Sequence, residues 1–144
     1  MVINVHSDAS YRTAPKARSH AAGYFFLGSA PKDDEPICLN GANLKLCTIL
    51  KCVSASATKA ELGALLLNAQ EAKIIALILL EMSHLQPTIP IHYDNTIAVG
   101  IVNNTVKPQR YRAIEMIYCW LLDGKVQQHF SVYYHPGQEN MGDY

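Results

Sequence analysis

The sequence predicts an α/β domain built on one mixed five-stranded sheet, three antiparallel strands followed by two parallel ones, with helices on both faces. Three observations carry that expectation. The first three β-forming runs are joined by connections of hairpin length, which suits antiparallel pairing. The two later runs each follow a helical stretch, which suits parallel addition through a crossover. And 144 residues, 49% of them apolar, supply the core of a single ordinary domain.

Val2, Ile3 and Val5 form a short strand that stops at Ser7-Asp8-Ala9-Ser10, leaving Asp8 at its C-terminal end. Tyr11–His20, with Arg12, Lys16, Arg18 and Pro15 among small polar residues, reads as a basic loop. Gly23–Gly28 (GYFFLG) is a second strand between glycines, and the stretch to Pro36 is a polar turn region. Ile37–Leu39 and Leu44–Leu50 are apolar pieces split by Asn40-Gly41-Ala42-Asn43, a hairpin signal. A helix opens near Ser56, with Ser54, Ser56 and Thr58 as possible N-caps, and runs to about Met82. It is apolar almost all round, as befits a helix lying deep between a sheet and another helix. Ile89–Tyr93 is a strand that stops at Asp94-Asn95. A short helix follows over Thr96–Asn103 and a longer one over about Tyr111–Asp123, with Gly124 as its stop. His129–His135 is the last strand, and Gln138–Tyr144 begins one more helix.

Charge and cysteine content narrow the function. Twelve Lys and Arg balance twelve Asp and Glu, so no global positive field holds nucleic acid without a local patch or metal ions. Four cysteines without a C-x-x-C pair imply no disulfide framework; they suit a reducing compartment and read as small core residues. No signal-peptide pattern opens the chain. The longest unbroken apolar run, Ile74–Leu80, falls short of the ~18 residues of a membrane span, so no membrane partner is expected.

The chemistry lies in acids. Asp8 and Asp94 end two strands that are parallel neighbours in the expected sheet, and open α/β sheets place ligands at such ends. Glu61 lies early in the central helix, whose N-terminus can approach the same edge; Asp143 follows the last strand. Each alone has an ordinary reading as a turn former, a helix-dipole partner or a solvated terminal residue. Gathered together they repel one another unless cations neutralise them, and hard oxygen donors suit Mg²⁺ or Mn²⁺. Two such ions serve an in-line phosphoryl displacement, so the set predicts a phosphodiester hydrolase.

The segments Ser7-Asp8-Ala9-Ser10-Tyr11, Lys59-Ala60-Glu61-Leu62, Tyr93-Asp94-Asn95 and the run 135–143 (HPGQENMGD) occur in that order. With Gly23–Gly28 they resemble the ribonuclease H domain of retrotransposon polyproteins, most of all the copia type, over essentially the whole chain. The resemblance implies a ribonuclease H-like fold. It implies an endonuclease that cuts the RNA strand of RNA–DNA hybrids, leaving a 3′-hydroxyl and a 5′-phosphate. Two Mg²⁺ ions, replaceable by Mn²⁺, would be held by Asp8 bridging both, Glu61 and Asp94 completing one shell, and Asp143 binding the other. His135 resembles the mobile histidine that aids product release or proton transfer. Ser10, Tyr11, Arg12, Lys16, Arg18, Asn95, Lys107, Arg110 and Arg112 are the nucleic-acid-binding candidates. Solvated loops and helix-surface ion pairs are the plainer reading of their charges. The implied partner is a reverse transcriptase in a parent polyprotein, and the implied setting is intracellular: cytoplasm, a virus-like particle or the nucleus.

Two departures stand out. The chain stops one residue past Asp143, where family members continue into an anchoring helix, so a weakened second metal site is expected. Pro108 stands where basic residues are usual. His6 and His92 each precede a predicted metal-binding Asp by two residues; a zinc site and hydrogen-bonded, partly buried histidines are the two readings. The alternatives to an active ribonuclease H are an inactive or domesticated nucleic-acid-binding remnant of the same fold, and an integrase or junction resolvase.

Overall fold

Strand β1 (Val2–Ala14) forms the spine of the molecule and runs 13 residues, well past its apolar start. A computed structural model describes residues 1–30, 40–51, 54–104 and 112–142, with 112–115 described by their backbone alone. β2 (Arg18–Gly28) pairs antiparallel with β1, and β3 (Leu44–Ile49) antiparallel with β2. β4 (Ile89–Tyr93) lies parallel to β1, and β5 (Phe130–Tyr134) parallel to β4. The strand order is β3-β2-β1-β4-β5, the mixed sheet that the sequence predicts.

The basic loop expected over Tyr11–His20 is instead a continuation of the β1–β2 hairpin, closed by a 3-10 turn over Pro15–Ala17. Antiparallel pairing with β2 carries β1 onward after its parallel partner has ended, because within β1 only Val5–Ser7 pair with β4. Asp8 therefore sits inside a strand, at the point where the neighbour on its other side stops. Asn40–Asn43 dock on β2, with Asn43 N–H donating to the Phe25 carbonyl and Asn40 Nδ2 to the Leu27 carbonyl. The apolar piece Ile37–Leu39 lies outside the described residues.

Helix α1 (Ala57–Glu81) is capped by Ser56, whose Oγ accepts from Lys59 N–H at 3.3 Å. Its N-terminal half is core: Leu62, Leu65, Ala69 and Ala72 pack with Ile3, Val5, Phe25, Ile89, Ile91 and Tyr93. Its C-terminal half corrects the picture of a helix buried throughout, since Ile74, Leu77, Ile78 and Leu80 are exposed. By length and composition alone α1 is apolar enough to cross a bilayer, but its first four turns carry the core of a folded domain.

Helix α2 (Thr96–Val102) and α3 (Arg112–Val126) bury residues in the same cluster as α1. Among the described residues the α-helices thus gather on one face of the sheet. The other face buries Asn4, His6, Phe26 and His92, and the segment after β5, with its 3-10 turn Gly137–Glu139, folds against it. α3 passes through Gly124, which was expected to end it. A Cβ there would stand 2.5 Å from the Phe130 ring, so this glycine permits close packing of α3 on β5. Cys47 and Cys119 are exposed on β3 and α3, contrary to the expectation of core cysteines; Cys38 and Cys52 lie outside the described residues.

Candidate metal centre and nucleic-acid face

Three elements bring three acids together. β1 carries Asp8 past the end of β4, β4 delivers Asp94 immediately after its last residue, and the second turn of α1 carries Glu61. One carboxylate oxygen from each lies within 4.8 Å of the other two, and all three residues are half-buried. Burial is the main cause that pushes Glu61 up to about 7, and the neighbouring Asp8 and Asp94 charges add to it, against hydrogen bonds from Tyr93 and Asn95. A carboxylate raised that far is one whose charge is poorly tolerated without a cation. Three hard oxygen donors at this spacing fit a divalent ion of the Mg²⁺ or Mn²⁺ type.

The segment around Asp94 is tightly built. Asn95 caps α2, its Oδ1 accepting from Ile97 N–H at 2.9 Å and Ala98 N–H at 3.1 Å. Its side chain also hydrogen-bonds Glu61, so Asn95, a nucleic-acid-contact candidate from the sequence, both caps α2 and adjoins the acid cluster. Tyr93 is fully buried, and its hydroxyl faces two acceptors on Glu61, the backbone carbonyl at 3.0 Å and Oε2, which share its one proton. Burial, then the Glu61 charge, holds that phenol well above its usual range, so it stays a donor. Tyr93 has no site role in the sequence reading. The signal was there: a tyrosine at an inward position of a buried strand needs a partner for its hydroxyl.

The C-terminal segment is stitched to β1. Asn140, 5% exposed, donates to the Ser7 carbonyl at 3.0 Å and accepts from Gly142 N–H at 2.9 Å; Met141 N–H donates to His6 Nδ1 at 3.1 Å. A Cβ on Gly142 would lie 3.3 Å from the Asp8 Cβ, and one on Gly137 would lie 3.0 Å from Asp94 Oδ2. The segment thus passes close to both aspartates. Asp143, the fourth predicted ligand, lies outside the described residues.

His135 packs against His6 and His92, with ring centroids 5.2 and 5.6 Å away, and its Nε2 is 3.5 Å from Glu139 Oε2. Burial first, and then the other histidines, lowers His6 to about 4 and His92 to about 3. A His6 ring whose Nδ1 accepts a backbone N–H carries its proton on Nε2, and so offers no free lone pair to a cation. The geometry therefore favours neutral, packed histidines over zinc ligands.

Ser10, Tyr11, Arg12, Lys16 and Arg18 cluster at the far end of the β1–β2 hairpin. Ser10 Oγ meets Thr13 Oγ1, which in turn lies 2.8 Å from His20 Nδ1. The Arg12 guanidinium stands 5.1 Å from the centre of the Tyr11 ring, and Arg12 and Lys16 are exposed. Arg18 is half-buried at the start of β2, and its Nε is buried without a hydrogen-bond partner. Lys107 and Arg110 lie outside the described residues, and Arg112 is described only as the first residue of α3.

Compared by sequence, the chain matches no protein-family model and no curated protein. Compared by structure, it is similar to LC11-RNase H1, isolated from compost by a metagenomic approach. The TM-score is 0.68 at 11% identity, over 96% of this chain and 87% of that one. The same enzyme in complex with an RNA/DNA hybrid gives 0.68 at 10% identity, over 96% and 88%. RNase H1 from the halophilic archaeon Halobacterium salinarum gives 0.67 at 12% identity, over 99% and 91%. The fold is that of ribonuclease H. On this fold the acid cluster lies where the parallel pairing of β1 with β4 stops, with Asp8 inside β1, Asp94 just past the end of β4 and Glu61 on α1. At these identities the likeness establishes architecture; the chemistry rests on this chain's own side chains.

Proposed function

We propose that the chain is a divalent-cation-dependent ribonuclease H that hydrolyses the RNA strand of RNA–DNA hybrids, and that it is the copia-type domain of a retrotransposon polyprotein working beside a reverse transcriptase inside the cell. The observation that carries this reading is the convergence of Asp8, Glu61 and Asp94, from three separate elements, to within 4.8 Å on a ribonuclease H fold. A structural neighbour, LC11-RNase H1, has been captured with an RNA/DNA hybrid, which supports the substrate class. The four-segment resemblance to copia-type domains supports the narrower assignment.

In this reading Asp8, Glu61 and Asp94 would hold a divalent cation, and Asp143 would help to hold a second; bound there, the ions would supply activation of water and neutralisation of charge at the scissile phosphate. Tyr93 and Asn95 hold Glu61 in place. The 135–142 segment brings His135 to the same edge, where it is suited to proton transfer or product release. Ser10, Tyr11, Arg12, Lys16 and Arg18 offer hydroxyl, aromatic and cationic groups to the hybrid backbone and its 2′-hydroxyls, with little base readout. The net charge of zero makes a tethered polymerase a natural source of the remaining grip.

The test is cleavage of an end-labelled RNA–DNA hybrid in Mg²⁺ or Mn²⁺ by the wild type and by Asp8→Asn, with duplex DNA alongside. Cutting of the RNA strand alone, abolished by Asp8→Asn, is the expected result. No cleavage at micromolar protein overturns the reading, and cutting of duplex DNA reassigns it to another nuclease of the fold.

A further inference from the structure

Asp94 is flanked by two residues that both hydrogen-bond Glu61, although neither is an acid. Tyr93 is the stronger case. Its ring is 0% exposed and packed in the main core with Leu62, Leu65 and Ile91, so the hydroxyl has a fixed position. That hydroxyl holds Glu61 twice, at the backbone carbonyl and at Oε2. The first contact ties the early turns of α1 to the end of β4; the second removes rotamer freedom from a flexible carboxylate. Groups of this kind, one hydrogen bond away from a cation, orient its ligands, and their loss typically weakens metal affinity 10–100-fold.

We propose that Tyr93 is a positioning residue of the metal centre, clamping main chain and carboxylate of Glu61 so that Glu61 meets Asp8 and Asp94 in a seat already assembled for a divalent cation. The inference rests on the metal-centre reading above and goes beyond it, since it assigns a role to a residue that touches neither cation nor nucleic acid. Asn95, on the other side of Asp94, assists from its capping position.

The experiment is Mn²⁺ binding, followed by calorimetry and by the electron paramagnetic resonance signal of the free ion. The proteins are the wild type, Tyr93→Phe, Glu61→Ala and the double variant, each held well below its Tm. Tyr93→Phe is expected to raise the Mn²⁺ Kd on the order of tenfold or more in the wild-type background. In the Glu61→Ala background, where residue 61 has no side-chain oxygen left to be positioned, it should change the Kd less than about twofold. An unchanged Kd in the first comparison, or the same loss in both backgrounds, overturns the proposal. If Tyr93→Phe does not fold, Glu61→Asp serves instead: it keeps the charge but withdraws the carboxylate from the hydroxyl by one methylene. It must then lose Mn²⁺ affinity to a similar degree, and undiminished binding overturns the clamp. A wild type that takes up no Mn²⁺ overturns the metal-centre reading itself, and the positioning role with it, whereas a wild type that binds while Tyr93→Phe binds equally overturns the positioning role alone.

Discussion

Glu61 shows what it costs to bring three acids to one sheet edge. In the folded chain it keeps its proton up to about pH 7, against an ordinary value of 4.5. The folded state therefore binds an extra proton between those values. Its contribution to stability falls as pH rises through that window, with the full penalty above it. In the proposed metal centre a divalent cation would replace the proton. Mg²⁺ should accordingly raise the Tm clearly at about pH 8 and far less at about pH 5, where protonated Glu61 already relieves the cluster. Equal shifts at both pH values would separate cation binding from Glu61. Asp94→Asn follows the same logic. It removes one like charge facing Glu61, so the cation-free protein should melt higher at pH 8, while hybrid cleavage falls on the order of 10²-fold or more. Thermal scans in chelator, beside a hybrid-cleavage assay, read both halves of that expectation.

At the level of elements, local pattern was a good guide wherever local forces decide. Ser56 at the α1 N-cap, the strand Ile89–Tyr93 and the short helix after Asn95 all stand where side-chain chemistry puts them. The misses come from forces that are not local. β1 was expected to stop at Ser7 because its apolar alternation ends there, but antiparallel pairing with β2 carries the polar stretch Asp8–Ala14 onward. Gly124 reads as a helix stop in sequence, yet α3 continues to Val126, and the glycine serves instead the close contact with Phe130, six residues on at the start of β5. The two readings predict opposite signs for Gly124→Ala. If only helix propensity counted, alanine would stabilise by about 1 kcal/mol. The Phe130 ring, fully buried and stacked on Trp120 at 6.0 Å, has little room to yield, so the added methyl should instead destabilise by roughly 1–3 kcal/mol. Urea unfolding of the single variant decides between them. Asn95→Ala should likewise cost about 1 kcal/mol for the lost cap.

Across the whole molecule, the three acids were legible because each lies in a short segment with its own signature, and their order along the chain matches the order of elements that carry them. Tyr93, Asn140 and the histidine cluster were less so, since their partners lie 32 to 135 positions away and only the assembled sheet pairs them. That cluster spans β1, β4 and the segment after β5, and its burial couples the fold to pH. His6 and His92 accept protons only near about 4 and about 3 in the folded chain, against 6.5 in the unfolded one. Below about pH 6.5 the unfolded chain therefore gains two protons that the folded chain refuses, and stability drops as pH falls. Between about 4.5 and 6.5 the proton retained by folded Glu61 opposes this, leaving a net difference of one. His135, half-buried against the cluster, meets the exposed Glu139 at its rim. In chelator the unfolding free energy should thus decline toward acid by about 1.4 kcal/mol per pH unit. In saturating Mg²⁺ the opposing Glu61 proton is gone, so the slope should steepen toward twice that value. Denaturant titrations at several pH values, with and without the ion, measure both slopes; a flat profile in chelator would mean that the histidines accept protons in place, and a slope indifferent to Mg²⁺ would remove Glu61 from the cation's seat.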